Sequence, residues 1–393
     1  MKSLNPPHFL AGLAGVLVIL FMLGVITSCD ESTSIPATAI NSQNLQKALQ
    51  QDSISSINNI AGITTPVTTN SALQLFPAIS GNRIVWADWR NSTTPKIFIP
   101  DIYMYTISTQ TKTQVTKNSA YQYDPVISGD HIVWVDWRNG NPDIYMFTIS
   151  TQTVAPVSTN SADQAYPAIS GDHIVWQDKR NGNWDIYMYT ISTHTETQVT
   201  TNSDEQAYPD ISRDHIVWTD WRNGNPDIYM YTISTQTETP VTTNLADEAY
   251  PAISGDHIVW QDERNGNYDI YMYTISTQTE MPLTANPADQ YDPAISGNYI
   301  VWADGRNGKA DIYMYNIAMQ TEKSVTKNSA RPEQPAISGD HIVWTDGHNG
   351  NWNIYMYNIP ETPVIFTQVL TGDVQSLLRD DSASQLHNAP LIK

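Results

Sequence analysis

A fixed internal repeat constrains this chain more than any other feature. The tripeptide Ile-Val-Trp occurs seven times, ending at Trp86, Trp134, Trp176, Trp218, Trp260, Trp302 and Trp344. The first interval is 48 residues and the other five are 42 each. The extra residues of the first copy fall in "NSTTPKIFIP", which runs from Asn91 to Pro100. A constant period means that each copy forms the same supersecondary unit and packs against its neighbours.

Each copy contains four runs with strand character. Between Tyr166 and Ala207 these runs are "YPAIS", "HIVWQD", "DIYMYTIS" and "TQVTT", and residues that favour turns separate them. Runs such as "IYMYTI" are apolar at nearly every position, so both of their faces must be covered. Four-stranded sheets stacked face to face at this period are the blades of a propeller. The sequence therefore predicts an all-β, seven-bladed β-propeller of four-stranded antiparallel blades over residues 63–366.

The N-terminal end of the repeats predicts how the ring closes. The stretch "TPVTTNSA", from Thr65 to Ala72, nearly repeats "TPVTTNLA", an outermost-strand sequence that runs from Thr239 to Ala246. We therefore expect an N-terminal strand to complete the last blade and so remove a free sheet edge. The alternative is that Pro363 to Val369 fills this position.

The flanking segments predict export and tethering. Residues 1–29 have a positive start at Lys2, an apolar run from Phe9 to Ile26, and then Cys29, the single cysteine of the chain. This pattern predicts a lipoprotein-type signal peptide with lipidation at Cys29. The alternative is an uncleaved membrane anchor, because an apolar run of this length can span a bilayer. Residues 30–62 predict a flexible spacer rich in Ser, Thr, Gln and Asn. Residues 367–393 form a C-terminal tail with no assigned role.

The charge balance argues against one class of partner. The chain has 40 acidic and 20 basic residues, which gives a formal net charge of −20. A surface of this sign repels phosphate backbones. We therefore expect no nucleic-acid partner.

The acidic hairpin "DWRNGNPDIYMY", which starts at Asp220, has two interpretations. Its Asn-Gly pair predicts a tight hairpin that sets Asp220 opposite Asp227 on the face that carries Arg222. A calcium loop would need oxygen ligands at alternating positions, where an arginine stands here. We therefore predict structural Arg-Asp pairs, with a calcium site as the alternative. The predicted residues are Asp136, Arg138, Asp143, Asp178, Arg180, Asp185, Asp220, Arg222, Asp227, Asp262, Arg264 and Asp269.

Six hairpins also carry an aromatic residue at nearly the same place. These residues are Trp89, Trp137, Trp184, Trp221, Tyr268 and Trp352. One hypothesis is a rim that stacks on sugar rings or on a protein partner, because aromatics are enriched at such surfaces. The alternative is that these side chains only cover neighbouring blades.

Residues suited to metal binding or catalysis are spread around the ring. Five blades have a histidine at the start of the second strand: His131, His173, His215, His257 and His341. Side chains spaced one per blade cannot converge on one ion, so we predict structural roles, no metal site and no other cofactor. Near-identical blades offer the same residues seven times, so a catalytic set would have to be built at the few asymmetric departures such as Asp210, and there is no Gly-x-Ser-x-Gly motif.

The repeat consensus "PAISGDHIVWQDxRNGNxDIYMYTIS" resembles the WD-like repeats of TolB-type propellers. It is also similar to repeat-built cell-surface proteins of bacteria and archaea. The chain departs from the TolB pattern by having "SGDH" where that family usually has a Ser-Pro-Asp-Gly type of turn. The resemblance implies a propeller at the cell surface or in the periplasm, and binding in preference to catalysis. It carries no catalytic residue onto this chain.

Together these features predict a membrane-tethered, monomeric propeller that acts as a non-catalytic binding module. The expected partners are an envelope or surface protein, or a surface polysaccharide. The alternative is a polysaccharide lyase or glycosidase with its site in the central channel. Asp210, together with Asp124 and Asp292 in the connectors, would be the candidate residues for that activity.

Overall fold

The computed structural model describes residues 62–92, 99–327, 329–347 and 350–360. Gly62–Ile359 form one compact unit. The predicted signal segment with Cys29, nearly all of the spacer, the tail and Pro363–Val369 lie outside the described residues. Within the described ranges, no helix is long and apolar enough to cross a membrane.

The predicted seven-bladed β-propeller is confirmed. Seven antiparallel sheets of four strands each account for all the strands of the described ranges. The first strand of each blade contacts its counterparts in the two adjacent blades, so seven first strands form a closed ring around a central channel. These innermost strands are β2 (Gln74–Ser80), β6 (Gln122–Ser128), β10 (Gln164–Ser170), β14 (Gln206–Ser212), β18 (Glu248–Ser254), β22 (Gln290–Ser296) and β26 (Pro332–Ser338).

The other strands of each blade follow outward from the channel. The second strands are β3 (Arg83–Asp88), β7 (His131–Asp136), β11 (His173–Asp178), β15 (His215–Asp220), β19 (His257–Asp262), β23 (Tyr299–Asp304) and β27 (His341–Asp346). The third are β4 (Asp101–Thr106), β8 (Asp143–Thr148), β12 (Asp185–Thr190), β16 (Asp227–Thr232), β20 (Asp269–Thr274), β24 (Asp311–Asn316) and β28 (Asn353–Asn358). The outermost are β1 (Thr64–Pro66), β5 (Thr111–Gln114), β9 (Thr153–Ser158), β13 (Thr195–Gln198), β17 (Thr237–Pro240), β21 (Thr279–Pro282) and β25 (Thr321–Ser324).

The ring closes as predicted, through the N-terminal strand. β1 pairs antiparallel with β28, with Thr64 opposite Tyr357 and Pro66 opposite Tyr355. The Val67 N–H then donates to the Ile354 carbonyl at 2.8 Å. The last blade therefore combines one strand from the start of the chain with three from its end, and its outer edge is paired.

Apolar contacts between adjacent blades form the core. Val133 and Ile144 of the second blade pack with Ile174 and Trp176 of the third, and all four are fully buried. The seven tryptophans of the repeat are all buried at 1% exposure or less. Each blade is thus covered on both faces, as the continuous apolar runs require.

The repeat defines two faces of the disc. Turns such as Gly171–Asp172 join the first and second strands at one face, and the Asn-Gly hairpins join the second and third strands at the other. The connectors between blades also lie at this second face, which we call the hairpin face. There the Gln206 N–H, which begins β14, donates to the carbonyl of Trp184 in the preceding hairpin at 2.8 Å.

Candidate functional site

All seven innermost strands have a bulge at the same place. In β10 the pairing with β11 shifts between Ala165 and Ala168, which leaves an extra residue in the strand. That residue is Tyr166, with a φ of 50°. Its counterparts in the other blades have φ between 52° and 57° and are Phe76, Asp124, Tyr208, Tyr250, Asp292 and Gln334. We call these seven residues the mouth ring, because each lies near the hairpin-face end of a channel-lining strand.

Three tyrosines in consecutive blades form an aromatic cluster on one side of the mouth ring. The ring centroids of Tyr166 and Tyr208 are 4.8 Å apart, and those of Tyr208 and Tyr250 are 4.4 Å apart. Trp221 supports the middle tyrosine at 6.4 Å. Tyr166 is 45% exposed and Tyr250 is 41% exposed. The cluster therefore presents aromatic surface at the channel entrance.

The opposite side of the mouth ring is also connected. The Phe76 N–H donates to Gln334 Oε1 at 3.1 Å across the junction of the first and last blades. A cavity of about 140 Å³ lies next to Phe76, and Asp124 and Tyr166 line it too. From the first blade to the seventh, the mouth-ring residues are therefore Phe, Asp, Tyr, Tyr, Tyr, Asp and Gln. The two aspartates lie on either side of the three tyrosines.

Both aspartates of the mouth ring have raised pKa values. Burial raises the pKa of the Asp124 carboxyl to about 6. Burial also raises the pKa of Asp292, and the nearby Glu333 carboxylate raises it further. Glu333 itself pairs with the Arg331 guanidinium at 2.6 Å. The mouth therefore holds one carboxyl that is readily protonated near neutral pH and a second on the other side of the tyrosine cluster.

The prediction that Asp124 and Asp292 lie in connectors was wrong. They are the bulge residues of β6 and β22 and line the channel entrance. Asp210 lies two residues beyond the bulge of β14, deeper in the channel. The innermost strands begin two residues before this position, at Gln122 in β6 and Gln290 in β22, so both aspartates lie inside strands.

The six aromatics predicted for the rim do not share one environment. Trp89 is buried at 6% exposure, and its ring lies 6.4 Å from that of Tyr121. Trp137 is 42% exposed. The remaining four, Trp184, Trp221, Tyr268 and Trp352, are half-buried. Among them, Trp221 stands out because it contacts the mouth ring.

The acidic hairpins differ in one respect from the expected geometry. Asp220 and Asp227 do lie opposite one another. However, of these two aspartates Arg222 pairs with Asp220 alone, through Nε at 2.8 Å and Nη2 at 2.6 Å. Asp227 instead accepts from the amides of Asn223 at 2.7 Å and Asn225 at 3.4 Å. The arginine does not lie between the two carboxylates, because the turn places asparagine amides beside the second one.

The arginine of each such hairpin belongs to a layered unit. In the fourth blade the Trp218 indole donates to Asp220 at 2.9 Å, and the Arg222 guanidinium lies 4.2 Å from the Tyr229 ring centre. The Trp218 and Tyr229 rings stack at 6.2 Å. Arg222 also donates to Glu238 on the outermost strand at 2.5 Å. These contacts connect three strands of one blade.

The histidines lie at the face opposite the hairpins. His131, His173, His215, His257 and His341 each begin a second strand and are half-buried. In the described ranges, no group of three or more His, Cys, Asp or Glu side chains is arranged to hold a metal ion.

The tyrosine cluster, Phe76 and Gln334 were missed as site residues. A signal for them is present in the sequence, because a proline follows every mouth-ring residue, as Pro167 follows Tyr166. Within a sheet, proline is confined to edge strands, to the first residue of a strand and to bulges. The variable residue before a constant proline was therefore the position to examine.

Comparison with known proteins yields matches of fold only. No family model matches the chain, and no curated protein sequence matches it. An oligogalacturonate lyase in complex with manganese matches with a TM-score of 0.60 and 13% identity, over 76% of this chain and 93% of that one. The β-propeller domain of the Trilobed protease from Pyrococcus furiosus matches with a TM-score of 0.61 and 11% identity, over 73% and 96%. The acylaminoacyl peptidase of Pyrococcus horikoshii gives 0.59 and 10% identity, over 72% of this chain but 51% of the enzyme.

These matches confirm the predicted resemblance to β-propellers as a class. Most of the matching proteins are enzymes, including the lyase and the peptidase. The prediction of a non-catalytic binding module is contradicted by this comparison. At 10–13% identity the likeness establishes the fold, so the activity must be argued from the mouth ring itself.

Proposed function

We propose that this protein is a polysaccharide-acting enzyme, a glycoside hydrolase whose active site is the mouth ring. The observation that carries the proposal is the asymmetry of the ring. Asp124 and Asp292 flank three clustered tyrosines, whereas the backbone conformation is the same in all seven blades. Catalysis needs different groups in distinct roles, and the mouth ring supplies them.

Glycoside hydrolysis uses two carboxyl groups in different roles, and the proposal assigns these roles to Asp124 and Asp292. Asp124, with its pKa raised to about 6, donates a proton to the glycosidic oxygen as the bond to the anomeric carbon breaks. The Asp292 carboxylate accepts a proton from the water that attacks this carbon. The leaving sugar departs as an alcohol, and the attacked sugar gains the hydroxyl. The tyrosines hold the apolar faces of the sugar rings.

The charge of the mouth favours a neutral polysaccharide. The Asp292 and Glu333 carboxylates lie at the entrance of a chain whose net charge is −20. Arg331 is already paired with Glu333. A polyuronate would meet like charge on approach, so the proposal assigns neutral glycans.

A test incubates the full-length protein in detergent with laminarin, xylan, mannan and hydroxyethyl cellulose, and with polygalacturonate for comparison. We expect new reducing ends from at least one neutral polymer. Asp124→Asn and Asp292→Asn should each lower the rate by about 10²- to 10⁴-fold, because each removes a group that transfers a proton.

Asp247→Asn is the matched control. Asp247 is an exposed connector carboxylate at the hairpin face and lies outside the mouth ring. It should keep the wild-type rate. Cleavage of polygalacturonate with an unsaturated, ultraviolet-absorbing product would identify a lyase instead. Equal rates for the aspartate variants and the wild type would refute the assignment of the site.

We also propose that the enzyme is exported and held at the membrane through Cys29, at the cell surface or in the periplasm. The support is the sequence of residues 1–29, in which Lys2 and an apolar run precede the cysteine. Cys29→Ala should abolish metabolic labelling with radioactive palmitate. Continued labelling would contradict lipidation at this residue.

A further inference from the structure

Below the mouth ring, a second level of side chains lines the channel. From Tyr208 to Ser212, half-buried and buried positions alternate along β14, so Tyr208, Asp210 and Ser212 face the channel while Pro209 and Ile211 are buried. The residues equivalent to Asp210 in the other blades are Ala78, Val126, Ala168, Ala252, Ala294 and Ala336. The fourth blade alone has a polar side chain at this level.

The Asp210 carboxylate is held in a fixed position. Oδ1 accepts from the N–H of Ile211 in the same strand at 2.8 Å. Oδ2 accepts from the N–H of Ile253 in the next blade, also at 2.8 Å. A carboxylate has about four acceptor sites, so two bonds leave capacity for further donors. The next residue facing the channel, Ser212, accepts one backbone N–H from the same neighbouring blade, that of Gly255, at 3.0 Å.

The topology decides what can reach this carboxylate. The seven innermost strands form a closed ring, so the channel has no side opening between blades. The middle of a polymer cannot enter such a channel unless the whole chain is threaded through it. Only a chain end can therefore pass the mouth ring. The terminal sugar carries hydroxyl groups, and burying them against alanine walls is unfavourable unless a partner accepts their hydrogen bonds.

We propose that Asp210 binds the hydroxyl groups of the terminal sugar, so that the enzyme removes units from a chain end. This inference rests on the proposed glycan-hydrolysing function and assigns a specificity residue to the same site. The tyrosine cluster lies directly above, with Tyr208 two residues from Asp210 on the same strand. The terminal sugar would thus pass the aromatic rings and meet the carboxylate below them.

The test uses cellohexaose and laminarihexaose with the wild type, Asp210→Ala and Ser212→Ala. Alanine is the residue that most other blades have at the Asp210 position. Ser212→Ala is the matched control, since it also removes an acceptor of one inter-blade hydrogen bond but leaves the carboxylate. We expect one product size from the wild type at early times. Asp210→Ala should raise KM about tenfold, the size of one hydrogen bond to a charged group, with kcat within about twofold.

Ser212→Ala should keep the wild-type KM and product pattern. The inference is overturned if Asp210→Ala leaves KM and products unchanged, if Ser212→Ala has the same effect as Asp210→Ala, or if the wild type gives mixed sizes from the start. If the wild type cleaves neither hexasaccharide, the proposed hydrolysis of these glycans is wrong. The role of Asp210 is then tested by measuring hexasaccharide binding through tryptophan fluorescence. A tenfold weaker Kd in Asp210→Ala would support it, and an unchanged Kd or no binding would overturn it.

Discussion

The outer hairpin units and the mouth ring are both repeated around the propeller, but they differ in what is constant. In each of the first six blades an arginine lies 4.0–4.2 Å from a tyrosine ring centre. This arginine also pairs with the buried aspartate that ends the second strand of its blade. In the mouth ring the backbone is constant, but the seven side chains are three tyrosines, two aspartates, one phenylalanine and one glutamine. Constant side chains indicate a role that every blade needs, which is stability. Varied side chains on a constant backbone indicate a role that only the assembled ring performs.

The largest expected effect on stability comes from breaking a hairpin unit. Asp220 is fully buried and accepts from Trp218 and Arg222. Asp220→Ala would leave the buried indole N–H of Trp218 without its acceptor and the Arg222 guanidinium with Glu238 as its remaining carboxylate partner. We expect the free energy of unfolding to fall by about 3 kcal/mol, measured by urea denaturation. The rate of glycan hydrolysis per folded molecule should stay unchanged, and a loss of activity larger than the loss of folded protein would contradict the division of roles.

A smaller effect, on substrate binding and not on stability, is expected in the mouth ring. Tyr208→Ala removes the central ring of the tyrosine cluster. KM for a neutral oligosaccharide should rise by roughly 5- to 30-fold, which corresponds to about 1–2 kcal/mol of stacking. Tyr189→Ala is the control, because Tyr189 is also half-buried but lies in a third strand and contacts His194. If the two variants change KM equally, the tyrosine cluster is not a sugar-binding surface.

A pH-dependent effect on stability is expected at Glu248, which begins the same strand as Tyr250 but contacts a hairpin unit. It is fully buried and accepts from Arg264 Nη2 at 3.0 Å, while Oε2 has no hydrogen-bond partner within the described ranges. Burial raises the pKa of this carboxyl to about 8, so the folded protein keeps a proton that the unfolded chain loses above its ordinary pKa of 4.5. Stability should therefore decrease as pH rises from about 5 to about 8.

Glu248→Gln should remove this part of the pH dependence, since five other blades have glutamine at this position. The measurement is the midpoint of thermal unfolding between pH 5 and pH 8.5. The stabilisation relative to wild type should grow with pH, while Glu238→Gln, at a partly exposed partner of Arg222, should show no such trend. If the unfolding midpoints of Glu248→Gln and wild type differ by the same amount at all pH values, Glu248 does not keep a proton in the folded protein.

The period and the strand runs were enough to predict the blades, and the sequence at Thr65 was enough to predict how the ring closes. The partners of Asp227 were missed because pairing across a turn does not show which amides fold back onto a carboxylate. The mouth ring was missed because the repeat pattern alone does not show which residues of the innermost strands bulge at the channel entrance. A positive φ at an ordinary residue such as Tyr166 results from tertiary pairing, and only the proline after it marks the place.

A crystal structure of the Asp124→Asn variant with bound cellohexaose or laminarihexaose would show directly where the glycan binds. We expect sugar density at the mouth ring, with one ring stacked on Tyr208 or Tyr250 and the chain end directed toward Asp210. Density confined to the hairpin rim around Trp137, with an empty channel entrance, would contradict it.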